Sequence, residues 1–294
     1  MKAAALPDRG VVKVVGEDSH RLLNGLLTTD IGTVQPGRPR FAALLTPQGK
    51  IVVDAIVAEA PARDGAGLFL DCPRPLAATL VERLNFYKLR AKAMIEDLSE
   101  MLVVLAAWPG ERSTAYGLAY PDPRHPALGL RVMLPPHLVA EAAADLQAEL
   151  VNESAYEAHR IALGVPSGGL DFAYGGAFPH ESDMDDLHGI DFDKGCYVGQ
   201  EVVSRMAHRG TARTRIVPIA LAGLPPRPGT PVLAGEKQVG TMGSAAGKRG
   251  LAMLRLDRVT DALSDRIPLM AGGVEIGIVK PDWARFDFPG DPKS

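Results

Sequence analysis

The pattern of hydrophobic residues changes near residue 212 of this 294-residue chain, and the change constrains the fold more than any other feature. Before it, apolar runs typical of strands alternate with segments whose leucines recur at helical spacing. After it, short β-prone runs such as "TRIVPIAL", "KQVGTMGS" and "VEIGIVK" are separated by glycine and proline. We therefore predict an α+β region over residues 1–211 and a small all-β barrel or sandwich over residues 212–294.

The first region contains several elements that the sequence predicts one by one. Leucines at helical spacing predict a helix in "EDSHRLLNGLLTTD", and "RPLAATLVERLNFYKLR" predicts an amphipathic helix opened by Pro75. "FAALLTPQGKIVVDAIVAEA" predicts two strands around a turn at residues 46–49, because proline presets φ and glycine accepts a positive φ. "PHLVAEAAADLQAEL" has the clearest helical pattern, and the glycine-rich "GVPSGGLDFAYGGAF" predicts a long loop.

Charge and cysteine content argue against several classes of protein. A net charge of −3 and a pI near 6.2 argue against a general nucleic-acid coat protein, which needs a strong positive field. Two cysteines, Cys72 and Cys196, do not make a disulfide framework, so a reducing compartment is favoured. No apolar run approaches the roughly 18 residues of a membrane span, and "MKAAALPDRG" lacks a signal-peptide pattern. We expect a monomer in a bacterial cytoplasm.

Cys196 lies in "DKGCYVGQE", a setting unlike that of a buried structural cysteine. A thiol becomes reactive when a cation or a helix N-terminus stabilises its thiolate. Lys194 supplies a charge, Gly195 permits a sharp turn, and a helix predicted from about Val198 would begin just after the cysteine. The sequence leaves open the alternative of a half-buried cysteine at a helix start whose glycines serve only the turn.

Other chemistry near this cysteine has weaker support. His188 and His208 are close in sequence, but no short signature joins either of them to the thiol as in a hydrolase. A resident iron–sulfur cluster needs about four thiolates, so this chain can supply at most one ligand of a shared cluster. The His- and Asp-rich segment 180–193 matches neither a zinc nor a calcium pattern, and a solvated acidic loop is the simpler interpretation.

A cluster of cations follows the cysteine in sequence. It suggests an anionic ligand, because guanidinium groups match carboxylate and phosphate geometry; an exposed helix end next to an interdomain linker explains the same residues equally well. No nucleotide-binding motif is present: "GSAAGKR" is one residue too short for a phosphate loop. The members of the cluster are Arg205, His208, Arg209, Arg213 and Arg215.

Several stretches resemble the YgfZ family, which includes a mitochondrial iron–sulfur assembly factor and is itself similar to the tetrahydrofolate-dependent aminomethyltransferase of glycine cleavage. They occur in the family's order and cover nearly the whole chain. The most specific is "KGCYVGQE" followed by "VVSRMAHRG"; the others are "RLLNGLLTTDI", "ALLTPQGKIVVDAIV", "YKLRAKAMIED" and the block from "RIALGVP" to "FPHESDMDDLHGI".

This resemblance implies a fold, a cofactor and a role. The implied fold has two interleaved α/β lobes of antiparallel sheets and helices around a central folate pocket, with a C-terminal β-barrel. The implied cofactor is tetrahydrofolate or a one-carbon derivative, without a permanently bound iron–sulfur cluster or other metal. Cys196 with Lys194 is implied as the functional thiol site, and the residues implied to contact folate are Asp54, Tyr87, Arg90, Glu181, Tyr197, Gln200, Glu201, Arg205 and Arg209.

The resemblance supports two functions. The favoured one is a folate-binding accessory protein that assists assembly or repair of iron–sulfur enzymes, including tRNA-modifying ones, with iron–sulfur client proteins or cluster carriers as partners. The alternative is a folate-dependent aminomethyl- or methyltransferase that uses Asp54, which matches the transferase's aspartate near the reactive folate nitrogens. The glutamate with which the transferase grips the pterin has no counterpart in "HPALGLRVMLP", which disfavours transfer. Direct tRNA binding through the arginine cluster is the weakest possibility.

Overall fold

The structure, a computed structural model, describes residues 1–62, 66–110, 112–209 and 213–291, except for the side chain of residue 209. The chain divides into two units. The first contains Met1–Tyr156 and His188–Gln200, and the second contains Glu157–Leu187 and Glu201–Ser294.

The first unit contains a five-stranded antiparallel sheet with strand order β3-β4-β5-β2-β6. Two helices pack on one face of this sheet, where alternate strand residues such as Val53 and Ala55 meet Leu23, Leu80 and Leu84 in a buried cluster. The strands are β2 (Arg9–Val15), β3 (Arg40–Leu45), β4 (Ile51–Glu59), β5 (Leu68–Pro73) and β6 (Met94–Asp97), and the helices are α1 (Ser19–Asn24) and α2 (Ala77–Lys88).

A second sheet of the same unit has strand order β10-β1-β7-β9-β8 and packs against the short helix α3. All its pairs are antiparallel except β1 with β10, which are parallel. Its elements are β1 (Lys2–Leu6), β7 (Val103–Trp108), β8 (Leu118–Pro121), β9 (Leu130–Leu134), α3 (Val139–Asp145) and β10 (Glu149–Leu150).

Buried ion pairs join the two sheets of the first unit. Asp71 of β5 accepts hydrogen bonds from Arg9 at 2.6 Å and from Arg131 of β9 at 2.6 Å. Arg131 also donates to Asp122 at 2.9 Å, and Asp122 binds Arg124 at 2.7 Å. Because buried charges persist only when they are paired and hydrogen-bonded, this chain of side chains fixes the register of one sheet against the other.

The second unit is dominated by a closed six-stranded barrel of order β11-β14-β13-β12-β15-β16. The fully buried Arg160 of α4 is tied to the barrel through Ser244 at 3.0 Å, and it also binds Asp171 at 2.9 Å. The elements are α4 (Glu153–Ala162, which begins in the first unit), α5 (Gln200–Arg209), β11 (Thr214–Leu221), β12 (Pro231–Ala234), β13 (Lys237–Ala246), β14 (Arg249–Arg255), α6 (Leu256–Ser264), β15 (Leu269–Ala271) and β16 (Val274–Ile278).

The predicted α+β fold with a C-terminal β-barrel is confirmed, whereas several local predictions are wrong. The helix predicted over residues 136–150 ends at Asp145, because the chain turns at Gln147 (φ 53°) and residues 149–150 pair with β1. Helix α6 was not predicted, and the helix predicted in residues 17–30 is only the six-residue α1. The proposed boundary at 211/212 falls in residues 210–212, outside the described residues, and stays a prediction.

Candidate functional site

Cys196 is exposed at the tip of a loop in the first unit, whereas Cys72 of β5 is completely buried. Burial raises the pKa of the Cys72 thiol to about 12, so that thiol stays protonated and inert. Helix α5 begins at Gln200, two residues later than predicted. Cys196 therefore lies four residues before the helix in sequence, and not just before its first turn as predicted.

Lys194 anchors the loop on one side of the cysteine. Its Nζ donates to three backbone carbonyl oxygens at and just after the end of α1, those of Asn24 at 2.7 Å, Leu27 at 2.6 Å and Thr29 at 2.9 Å. An ammonium group has three donors, so all of them are used. Burial lowers the pKa of Lys194 to about 8, against the opposing effect of two nearby aspartates. Its ammonium group therefore holds the loop to the end of α1, and the effect of its charge on the Cys196 thiol stays a prediction.

Tyr197 and Gly199 anchor the other side. The Tyr197 ring is buried and lies 5.1 Å from Lys194 Nζ, and burial raises the pKa of its hydroxyl to about 12. Gly199 has φ 85°, and a Cβ at this position would come within 2.7 Å of the Thr46 carbonyl oxygen in the β3–β4 turn. Only glycine accommodates both the positive φ and this close approach. Val198, between them, packs against the core cluster of the first sheet.

The segment before the loop is held to the same sheet. Thr28 Oγ1 donates to the Gly189 carbonyl at 2.6 Å and accepts from the Ala43 amide at 2.9 Å. The Asp191 carboxylate accepts from the Asp30 amide at 2.7 Å and pairs with Arg40. Sequence reasoning missed Thr28 and Asp191 as supports of the site. The contacts that join the segment to the sheet, Thr28 with Gly189 and Asp191 with Asp30 and Arg40, span more than 150 residues of sequence, and no local pattern marks such a pair.

The other predicted catalytic residue, Asp54 of β4, is buried and 6% exposed. Its neighbours Val53 and Ala55 face α1 and α2, so the alternation of a strand places Asp54 on the opposite face, the face that carries Asp71. Tyr87 and Arg90 line a cavity on the helical side of the sheet. The first unit thus separates these predicted folate contacts onto two faces of one sheet.

The remaining predicted folate contacts are placed as follows. The Glu181 carboxylate accepts from the Phe178 amide at 2.9 Å and so caps a short 3₁₀ helix in the second unit. Gln200 and Glu201 form the first turn of α5, where Glu201 is exposed, and Arg205 is exposed further along the helix. The Arg209 side chain lies outside the described part of the chain. The predicted set does not converge on a single cavity in either unit.

Of the rest of the arginine cluster, His208 is exposed, and the exposed Arg213 lies 3.9 Å from Asp257. Arg215 is buried and binds both carboxylate oxygens of Asp185 at 2.6 and 2.8 Å, the His180 carbonyl at 2.8 Å and the face of Phe286. Its guanidinium therefore organises the His- and Asp-rich segment. Within the described residues, no group of three or more His, Cys, Asp or Glu side chains is placed to hold a metal ion. None of the helices described is long and apolar enough to cross a membrane.

Comparison with a solved structure confirms the fold. The structure of the glycine cleavage system aminomethyltransferase T from Bartonella henselae superimposes with a TM-score of 0.75 and 14% sequence identity, covering 98% of this chain and 87% of that one. At this identity the likeness concerns the fold alone. The family description "CAF17, C-terminal beta-barrel domain" matches residues 213–286, which contain all six barrel strands.

Two fungal relatives contradict one prediction from the sequence. The iron-sulfur cluster assembly factor IBA57 homolog of Mycosarcoma maydis is 38% identical over 239 residues, covering 76% of this chain and 59% of that protein. The chain spans 53% of the Neurospora crassa homolog. Both are named as mitochondrial proteins, so the prediction of a bacterial cytoplasmic location is wrong. That prediction rested on cysteine usage and apolar runs, which do not separate one reducing compartment from another.

A mammalian relative matches over a larger share of its length. The iron-sulfur cluster assembly factor IBA57 of Mus musculus, also named as mitochondrial, is 32% identical over 309 residues, covering 95% of this chain and 84% of that protein. The loop described above, with Cys196, Lys194 and Gly199, belongs to the stretch on which the sequence resemblance was strongest. The chain belongs to the family of the iron–sulfur cluster assembly factor IBA57.

Proposed function

We propose that this protein assists the maturation of iron–sulfur enzymes and that Cys196 supplies one thiolate ligand to an iron–sulfur species shared with a partner protein. The partner is an iron–sulfur client or a cluster carrier, and the clients include tRNA-modifying enzymes. The names of the relatives support the process, and the octapeptide "KGCYVGQE" supports the same role as in the bacterial YgfZ proteins.

One observation carries the proposal: the exposed thiol of Cys196 stands on a loop fixed at Lys194 on one side and at Gly199 on the other. An iron–sulfur cluster takes about four protein ligands, most often thiolates. The chain has two cysteines, and Cys72 is inaccessible in the core. This chain therefore contributes a single thiolate, and the other ligands come from the partner.

The chemical step is a ligand exchange. The Cys196 thiol loses its proton to solvent and its sulfur forms a bond to an iron atom, while one ligand of the partner leaves that iron. Neither iron nor sulfur changes oxidation state in this step. Because one thiolate alone holds a cluster weakly, the bond is transient, as a transfer or repair step requires.

The test is complementation of cells that lack their own homolog. Wild-type protein, Cys196→Ser and Cys72→Ala are expressed at matched levels, and the activity of a [4Fe–4S] client enzyme is measured relative to the amount of that enzyme. We expect wild type and Cys72→Ala to restore the activity and Cys196→Ser to leave it at the level of an empty vector. Restoration by Cys196→Ser would refute the assignment.

Folate has no step in this proposal. Within the first unit, Asp54 lies on one face of the sheet, and Tyr87 and Arg90 lie on the opposite, helical side. The aminomethyltransferase alternative rests on Asp54, whose carboxylate is buried between the two sheets of the first unit. A likeness of fold alone does not carry that activity over, and transfer is not proposed.

A further inference from the structure

A cavity of about 440 Å³ opens between α1 and the C-terminal end of α2 in the first unit. Leu22 and Leu26 at its base are buried, and Tyr87 packs between the cavity and the core cluster. Its size lies in the range of sites that take a small molecule or a large side chain. The cavity therefore offers an apolar base that none of the described side chains of this unit fills.

Large apolar side chains continue from the cavity onto the surface. Leu89, which lines it, is 87% exposed, and the adjacent Phe86 is 69% exposed and packs edge-on against Tyr87 with ring centres 5.2 Å apart. Leu89 follows the last residue of α2 with φ 47° and ψ −107°, a strained conformation for a residue with a branched side chain. Contiguous exposed apolar side chains of this kind are typical of protein interaction sites.

Three cations surround the apolar base: Arg21, Lys88 and Arg90. None of their side chains makes a hydrogen bond or an ion pair with another described residue. The one acidic lining residue, Asp18, accepts a hydrogen bond from the Lys92 amide at 2.8 Å. The rim is thus positively charged in a chain whose net charge is −3.

The cavity and the Cys196 loop share helix α1. Arg21, Leu22, Gly25 and Leu26 line the cavity. The carbonyls of Asn24, Leu27 and Thr29, in the same stretch of chain, hold the Lys194 ammonium group. A protein seated on the cavity is therefore held to the same short segment that anchors the loop of the exposed thiol. We call Phe86, Leu89 and the lining residues of the cavity the α1–α2 surface.

We propose that the α1–α2 surface binds an acidic segment of the partner protein, which inserts one large apolar side chain into the cavity and pairs its carboxylates with Arg21, Lys88 and Arg90. The proposal rests on the proposed function, in that the segment belongs to the protein that shares the iron–sulfur species with Cys196. Charge complementarity selects an acidic segment over a basic one. A small organic acid in the cavity leaves Phe86 uncovered, and this favours a protein segment.

The test selects ligands from random sequences, so the partner protein need not be identified first. Random dodecapeptides displayed on phage are selected on the full chain, and an enriched peptide is then synthesised with a fluorescent label. Its affinity is measured by anisotropy for wild type, for Arg21→Glu/Lys88→Glu/Arg90→Glu, and for the control Arg38→Glu/Lys237→Glu/Lys248→Glu. The control makes the same change of net charge at three exposed cations that do not line the cavity.

We expect enriched peptides with acidic residues around one Leu, Phe or Met. They should bind wild type and control equally, bind the cavity variant at least about tenfold more weakly, since three charge pairs are lost, and lose affinity as salt is added. Leu89→Asp should weaken them too. Peptides that bind all proteins equally, a selection without acidic peptides, or a cavity that takes only small organic acids such as octanoate would overturn the proposal.

Two further measurements separate this proposal from the proposed function. Cys196→Ser should bind the selected peptide as wild type does, and the triple cavity variant should keep the wild-type rate of Cys196 alkylation. If Cys196→Ser restores client activity while the peptide still distinguishes the cavity variant, the thiol assignment fails and the α1–α2 surface stands. If Cys196→Ser is inactive and the peptide binds the triple cavity variant as tightly as wild type, the surface proposal fails and the thiol assignment stands.

Discussion

Replacing Lys194 by methionine tests how the Cys196 loop is held. Burial of the Lys194 ammonium group destabilises the folded state, whereas its hydrogen bonds stabilise it. Burial lowers the pKa of Lys194 from 10.5 to about 8, so desolvation acts against the charged ammonium group. The three hydrogen bonds from its charged Nζ contribute about 1.5–3 kcal/mol each, or about 4.5–9 kcal/mol together. The side chain is half-buried, so solvent weakens these hydrogen bonds and desolvation offsets part of their contribution. We expect Lys194→Met to destabilise by about 2–4 kcal/mol.

The assay is native-state hydrogen exchange at increasing urea, followed at the amides of residues 24–31 and 193–199. In Lys194→Met these amides should open with a free energy lower by the stated amount, while amides of the barrel strands keep their protection. Lys237→Met is the matched control, an exposed lysine that should change stability by less than about 0.5 kcal/mol. Unchanged protection of residues 193–199 would mean that desolvation cancels the three hydrogen bonds and that Lys194 does not anchor the loop.

Three further predictions concern the thiols, the glycine anchor and a buried acid. A colorimetric thiol reagent should label one cysteine of the native protein, Cys196, and Cys72 only in denaturant, because Cys72 is fully buried; fast labelling of both would contradict the described core. Gly199→Ala should destabilise by about 1–3 kcal/mol in urea unfolding, since its φ is 85° and its Cβ would approach the Thr46 carbonyl. Burial raises the pKa of Asp183 well above its usual 3.8, so the folded state keeps a proton that the unfolded state releases. That contribution to stability is complete below pH 3.8 and is lost as pH rises through the folded-state pKa. The free energy of unfolding of Asp183→Asn should therefore increase relative to that of wild type as pH rises towards neutrality. If the unfolding free energies of the two proteins change with pH in parallel, the pKa of Asp183 is not raised.

Elements fixed by local chemistry were predictable from the sequence. The β3–β4 hairpin follows from two apolar runs around Pro47 and Gly49, and Gly49 has the expected positive φ of 79°. Helix α2 follows from its leucine spacing, and the barrel from short β-prone runs between glycines. In each of these cases the residues that determine the conformation lie within a few positions of one another.

Elements that depend on distant partners were not predictable. Strand β1 is built from "KAAAL", and alanine has little preference for strands; its place between β7 and β10 determines its conformation. The same holds at the site. The sequence singled out Cys196 and its glycines, but it did not show that Lys194 binds three carbonyl groups, because partners 165 to 170 residues away leave no mark in local sequence.

The anchors of the loop explain why an exposed thiol suits transfer better than storage. A protein that stores an iron–sulfur cluster needs several ligands around a site closed to solvent. Here the second cysteine, Cys72, is buried in the core of the first unit and cannot serve as a further ligand. Lys194, Tyr197 and Gly199 restrict the backbone on both sides of Cys196, so a partner that binds the thiolate orders little further chain. Cys196 itself is exposed, and a side chain at the neighbouring Gly195 would meet nothing within 4 Å. In the proposed function, a thiolate held in this way binds and releases iron without refolding of the loop. Loosening the Lys194 anchor should therefore slow the proposed transfer even though the thiol itself is unchanged.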